Sequence, residues 1–188
     1  MSFSPAAAAR FRLGDPAFIV GLQDLIACLP SHLVMAEVGV YAGASTNIFL
    51  DSGKVSRLYA VDQWQDYRQD GEPFSNPYSW SDVRDTFLFG PGAWPEVRVL
   101  ELPSAQAADK VPDGELGFVY LDACHDYTAV KADIAAWLPK IAAGGWLGGH
   151  DYALEFPGVV LAVVEAGLGK PSLFADTSWL LAVGNGNR

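Results

Sequence analysis

The chain has 188 residues, 51% hydrophobic and 18% charged, enough to bury the core of one ordinary domain. A formal net charge of −10 argues against a nucleic-acid backbone or an anionic membrane surface as partner, and leaves a small molecule as the expected one. Two cysteines, Cys28 and Cys124, make neither a disulfide framework nor a paired zinc-ligand pattern, so they are expected as reduced thiols in a cytoplasmic protein.

No apolar run reaches the roughly 20 residues of a membrane span, and the first stretch, MSFSPAAAARFR, lacks the order of a signal peptide. Residues 1–14 read as a leader to a single domain. Pro16–Leu29 has helical spacing. Apolar or β-branched runs follow at Leu33–Val40, Arg57–Val61, Val97–Leu102, Gly117–Leu121 and Gly145–Gly149. Runs of this kind read as buried strands of a mostly parallel sheet. Between them, helices are expected at Ala44–Leu50, Ser81–Phe89, Ala105–Val111 and Thr128–Ile141, with a last one at Pro157–Gly167. In Thr128–Ile141, Val130, Ile134, Trp137, Leu138 and Ile141 share a face, although Pro139 conflicts with its last turn. Ser172–Ala175 and Ser178–Val183 lie too close for a helix between them and predict an antiparallel hairpin. The fold class is therefore α/β: a doubly wound, mostly parallel seven-stranded sheet that ends in a hairpin. Gln63–Ser79 fits no period, and its aromatics suggest a substrate-facing lid.

The first strand runs into Glu37-Val38-Gly39-Val40-Tyr41-Ala42-Gly43-Ala44-Ser45. Gly39 permits a sharp turn and close approach of a ligand, and the free N–H groups of the helix start attract an anion. The spacing is not the Gly-x-Gly-x-x-Gly of nicotinamide folds. An acid just before the turn would repel a pyrophosphate and suits a ligand bearing an ammonium or sulfonium. Asp62 ends the next strand, where a carboxylate can accept both hydroxyls of a ribose, and Gln63 and Trp64 follow where they could flank an adenine.

These elements resemble the class I S-adenosylmethionine-dependent methyltransferases over about residues 15–183. A more specific pairing, Tyr120-Leu121-Asp122-Ala123-Cys124-His125-Asp126-Tyr127 with Gly144-Gly145-Trp146-Leu147-Gly148-Gly149-His150-Asp151-Tyr152, is similar to small enzymes related to the macrolide-sugar and cephalosporin O-methyltransferases. The resemblance implies S-adenosylmethionine as cofactor. It implies that Glu37 meets the methionine ammonium region, that the turn Gly39–Tyr41–Gly43 holds the methionine portion, and that Ser45 lies near its carboxylate. It further implies Asp62 at the ribose and Ser104 near the adenine.

Asp122, His125, His150 and Asp151 fall at the ends of the fourth and fifth strands, where ligands of open α/β sheets bind. Two chemistries remain open. In one, Asp122 and Asp151, with His150 in the place where related enzymes carry an acid, bind Mg2+ or another divalent metal, and His125 is the base. A histidine in that set would favour a transition metal. In the other there is no metal, and His125 or His150, oriented by Asp122 or Asp151, takes the proton. The expected activity is methyl transfer to a hydroxyl oxygen of a small-molecule acceptor. The alternative is a non-catalytic S-adenosylmethionine-binding or regulatory domain. A homodimer is one way for so small a domain to close its site.

Overall fold

A computed structural model describes residues 16–69 and 71–184; the leader at 1–14 lies outside the described residues. Helix α1, Pro16–Ala27, precedes strand β1, Leu33–Val38. The chain continues through α2, Ala44–Asp51, and β2, Val55–Asp62, to a small hairpin of β3, Arg68–Gln69, and β4, Glu72–Pro73. It then forms α3, Trp80–Phe89, β5, Val97–Glu101, α4, Ser104–Ala108, β6, Leu116–Leu121, and α5, Tyr127–Trp137. Last come β7, Ile141–Gly149, α6, Pro157–Glu165, β8, Ser172–Leu173, and β9, Trp179–Ala182.

The seven-stranded sheet has the order β5-β2-β1-β6-β7-β9-β8. Strands β5 through β7 are parallel, and β9 returns antiparallel to β7 with β8 paired beyond it. The chain steps outward from β1 to β5, then crosses back to β6 on the other side of β1. This reversal opens a crevice at the carboxyl ends of β1 and β6.

Apolar runs form the central strands because both faces of the sheet are covered. Leu33 and Met35 of β1 pack with Phe118 and Tyr120 of β6 under α1 and α2, while Ala36, Val38, Val119 and Leu121 pack on the opposite face with Trp137 and Val163. Trp137, Trp179 and Phe49 are fully buried. Each such side chain removes about 150–250 Å² from water and so dominates the local packing.

Three boundaries moved for identifiable reasons. Strand β1 stops at Val38 because Gly39 adopts a φ of 91°. The fifth helix ends at Trp137 and tightens into a 3-10 turn over Leu138–Lys140, because Pro139 has no N–H to continue the ladder. Ile141 thereby begins β7 instead of ending the helix. The segment Gln63–Ser79 contains the hairpin β3–β4, closed by Tyr67 stacked on Phe74 with ring centroids 4.6 Å apart.

Candidate active site

The crevice holds a cavity of about 300 Å³ whose wall includes Gly39 and Tyr41 after β1, Asp62 and Gln63 after β2, Pro103 and Ser104 after β5, and Asp122 after β6. The small hairpin covers it, with Tyr67 and Phe74 on the wall beside Trp80 of α3. Gly39 is required here by more than its φ. A Cβ at this position would overlap the backbone carbonyl of Asp122, because the Asp122 N–H donates to Val38 O at 2.8 Å and draws the two strand ends together.

Asp62 is held by the backbone. Its Oδ2 accepts from the Tyr41 N–H at 2.9 Å and its Oδ1 from the Trp64 N–H at 2.8 Å. Burial pushes its pKa up, against these backbone donors. Each oxygen retains a lone pair, so the carboxylate can still accept two hydroxyls from the cavity. Tyr41 and Trp64 reach these positions in the left-handed region, at φ 49° and 44°, where a non-glycine residue carries on the order of 1–3 kcal/mol of strain.

Several residues expected to face the cofactor do not line the cavity. Trp64 is 4% exposed and packs on Phe87, its Nε1 donating to Tyr41 O at 2.8 Å. Its left-handed backbone turns the ring under the glycine turn, so it supports the turn instead of flanking a base. Glu37 is fully buried, and both its oxygens are occupied: Ser45 Oγ donates to Oε1, and Thr46 Oγ1 donates to Oε2 at 2.7 Å. Burial pushes its pKa up to about 8, against those two hydrogen bonds. Glu37 and Ser45 thus tie β1 to the first turn of α2, and no atom of either is on the cavity wall. Gly43, at φ 88°, makes room for Pro91 and Phe87, which a Cβ would meet. Ser104 is on the wall, but its Oγ accepts from Trp137 Nε1 at 2.9 Å.

Beside Asp122, the only one of the four on the cavity wall, the β6 and β7 ends bring four ionisable groups together: Asp122, His125, His150 and Asp151. His125 Nε2 lies 3.0 Å from Asp151 Oδ2 and 3.8 Å from Asp122 Oδ1. Ligand atoms of Asp122, His125 and Asp151 all fall within 4.8 Å of one another. His150 is not in that group. It sits behind Asp151, with Nδ1 3.0 Å from Asp151 Oδ1 and its ring edge-on to Phe18. The ligand atoms that converge are therefore those of Asp122, His125 and Asp151, and not those of the expected set Asp122, Asp151 and His150. The exchange follows from Asp151, whose φ of 60° turns its carboxylate between the two imidazoles.

The electrostatics follow the geometry. Burial works against protonation of His125, but Asp122 and Asp151 outweigh it and raise its pKa to about 9. His150 is raised to about 9 in the same way, against burial, by Asp151, Asp122 and Asp176. Burial would raise the Asp151 pKa; the two imidazoles reverse this and hold it well below the usual carboxylate range. Sequence reasoning missed Asp133 on the cavity wall, whereas Tyr67 and Phe74 fall in the segment Gln63–Ser79 expected as a substrate-facing lid. The one available signal for Asp133 was a carboxylate within the stretch Ala129–Trp137, where Lys131 is the other charged residue.

Crevice, backbone-held carboxylate and terminal hairpin together define an open α/β fold built for a nucleoside-like ligand at its switch point. A family model described as a methyltransferase domain matches residues 36–152, and the chain belongs to that family, the class I S-adenosylmethionine-dependent methyltransferases. No curated protein matches. Among solved structures, the O-methyltransferase NovP is similar at a TM-score of 0.63 and 18% identity, over 88% of this chain and 77% of that one. CalS11, a TDP-rhamnose 3'-O-methyltransferase of calicheamicin biosynthesis, gives 0.58 and 16%, over 89% and 77%. A precorrin-8w decarboxylase from Methanobacterium thermoautotrophicum gives 0.57 and 17%, over 86% and 83%. Its presence shows that the fold alone does not decide the reaction. No helix of the described residues is long and apolar enough to cross a membrane.

Proposed function

We propose that the chain transfers the methyl group of S-adenosylmethionine to a hydroxyl oxygen of a small molecule held at Asp122, His125 and Asp151. The observation that carries this reading is the placement of Asp122, which lines the cavity and also faces His125, so one residue joins the cofactor space to the ionisable cluster. The cavity fits the cofactor: Asp62 retains acceptor capacity for a ribose diol, and Gly39 brings bare backbone to the cavity wall. S-adenosylmethionine supplies an electrophilic methyl on a sulfonium; the protein's part is to align the acceptor with it.

The acceptor O–H proton passes to His125, the C–S bond breaks as the C–O bond forms, and S-adenosylhomocysteine leaves. Transfer requires neutral His125, whereas Asp122 and Asp151 hold it protonated at neutral pH in the ligand-free chain. In place of a proton on His125, the same three residues could hold a divalent cation, with His125 then a ligand and not the base, since among the described residues neither nitrogen of half-buried His125 has an aligned hydrogen-bond partner. A set of two carboxylates and one imidazole suits Mn2+, Co2+ or Ni2+ better than Mg2+. Such an ion would bind the acceptor oxygen and lower its pKa. His150 then serves as a positioning residue for Asp151. Tyr67, Phe74 and Trp80 supply the aromatic side of the pocket.

The test begins with calorimetric titration of S-adenosylhomocysteine, followed by transfer of labelled methyl to a panel of sugar nucleotides and phenols, with Mn2+, Mg2+ or chelator. One-site binding and label on an acceptor oxygen are expected. Saturable binding with label appearing only on nitrogen or carbon acceptors would overturn the O-methyl assignment.

A further inference from the structure

We propose that Tyr41 is a positioning residue for the acceptor: its hydroxyl, bound to Asn76, ties the hairpin β3–β4 to the cofactor turn, so that an occupied cofactor half fixes the aromatic wall on which the acceptor packs. This rests on the cavity holding S-adenosylmethionine, as proposed above.

Tyr41 belongs to both sides of the cavity. Its main chain is fixed by the cofactor half: the N–H donates to Asp62 Oδ2 at 2.9 Å, and the carbonyl oxygen accepts from Trp64 Nε1 at 2.8 Å. Its side chain is fixed by the covering segment. The hydroxyl donates to Asn76 Oδ1 at 2.9 Å, and the ring meets Trp80 edge-on with centroids 6.1 Å apart. Only two torsions separate a tyrosine backbone from its ring, so the two ends move together.

Asn76 passes the constraint on. Its Oδ1 also accepts from the Tyr78 N–H at 3.1 Å, and its own N–H donates to Phe74 O at 3.1 Å. The Phe74 N–H donates to Tyr67 O at 2.9 Å, and the two rings stack. A continuous run of hydrogen bonds thus leads from Asp62 to Phe74 and Tyr67, both on the cavity wall. The hairpin also rests on the acceptor half, where Cys124 Sγ donates to Arg68 O at 3.6 Å and the His125 N–H faces Gln69 Oε1 at 3.5 Å. Its strands are only Arg68–Gln69 and Glu72–Pro73. A two-stranded hairpin is marginal by itself, so a single anchoring bond changes how often it opens. A ligand shifts such an opening only by binding one state better. A diol on Asp62 is bound best while the Tyr41 N–H holds Oδ2, the arrangement in which the hydroxyl reaches Asn76.

The experiment follows amide hydrogen exchange at Phe74, whose N–H closes the hairpin, with and without S-adenosylhomocysteine. The proteins are the wild type, Tyr41→Phe, Asn76→Ala and Asn76→Asp. Calorimetry sets the saturating concentration for each, and exchange at buried Met35 of β1 is the folding control. In the wild type the ligand is expected to slow exchange about tenfold or more. In Tyr41→Phe and Asn76→Ala that slowing should shrink by about three- to tenfold, the size of one hydrogen bond. Asn76→Asp keeps an oxygen that accepts from both Tyr41 and Tyr78, and should stay within about twofold of the wild type. Equal slowing in all four proteins overturns the inference, because the ligand then orders the hairpin by direct contact. A loss in Asn76→Asp as large as in Asn76→Ala overturns it too, as does binding to the wild type without slowing. Should Tyr41→Phe fail the folding control, the two Asn76 variants decide. Failure of S-adenosylhomocysteine to bind the wild type overturns the cofactor reading itself, and this inference with it.

Discussion

The two halves of the crevice are built from different material. On the β1–β2 side, the decisive carboxylate of Asp62 is held by two backbone N–H groups, and the turn above it is set by Gly39, Tyr41 and Trp64. On the β6–β7 side, Asp122, His125, Asp151 and His150 hold each other, side chain to side chain. A backbone-held site is stiff and changes little with pH. A site of mutually paired acids and imidazoles changes charge with pH and with any bound cation. The difference suits the division of labour proposed above, in which one half would bind a constant cofactor and the other would do proton chemistry on a changing acceptor.

The largest expected effect comes from breaking the stiff half. Gly39→Ala adds a Cβ that overlaps the Asp122 carbonyl at a φ unfavourable to any L side chain. The strand ends must separate, so stability should fall by about 3 kcal/mol or more and cofactor binding should be lost. Denaturant unfolding and calorimetry measure the two. Wild-type stability with unchanged affinity would show that the two strand ends are not rigidly joined.

Next in size is a rate effect confined to the other half. His125→Ala should lower kcat about 10²- to 10⁴-fold, the usual contribution of a general base, while the affinity for S-adenosylhomocysteine changes less than about threefold. The pH profile sharpens the point. In the proposed mechanism the neutral imidazole is the active form, and its pKa is raised to about 9, so the wild-type rate without metal should climb with pH through about 9. A rate independent of pH between 7 and 10 would assign the proton to another group.

The two halves were also unequally legible in the sequence. Strand runs, the Gly39 turn, Asp62 and the closing hairpin are local patterns, and the fold read from them is the fold found. What the sequence could not show was which way each side chain turns. Trp64 and Asp151 both occupy the left-handed region, which reverses the direction that their position after a strand suggests. Hence Trp64 supports the turn from the core, and His125 replaces His150 beside Asp122. Asp133 was missed because the wall it joins is assembled from α5 and the β5–α4 connection, which are distant in the sequence.

The smallest expected effect tests whether the stiff half is as insensitive to pH as its geometry suggests. Glu37, fully buried under that half, has a pKa raised from 4.5 to about 8 by burial, and Asp62 is also raised by burial. The folded chain therefore retains a proton that the unfolded chain releases above about pH 4.5. That difference lowers folding stability as pH rises, by up to roughly 1.4 kcal/mol per pH unit between about 4.5 and 8. Glu37→Gln keeps the shape and the polar contacts to Ser45 and Thr46 but cannot titrate. Unfolding free energies at pH 5, 6.5 and 8 should show a shallower decline for the variant than for the wild type. Cofactor affinity should stay within about threefold, since the cavity wall is unchanged. Parallel stability curves would mean that Glu37 is ionised inside the fold, with its charge met by the hydroxyls of Ser45 and Thr46. The acid before the glycine turn would then contribute negative potential to the cofactor half, and the contrast between the two halves would be one of degree.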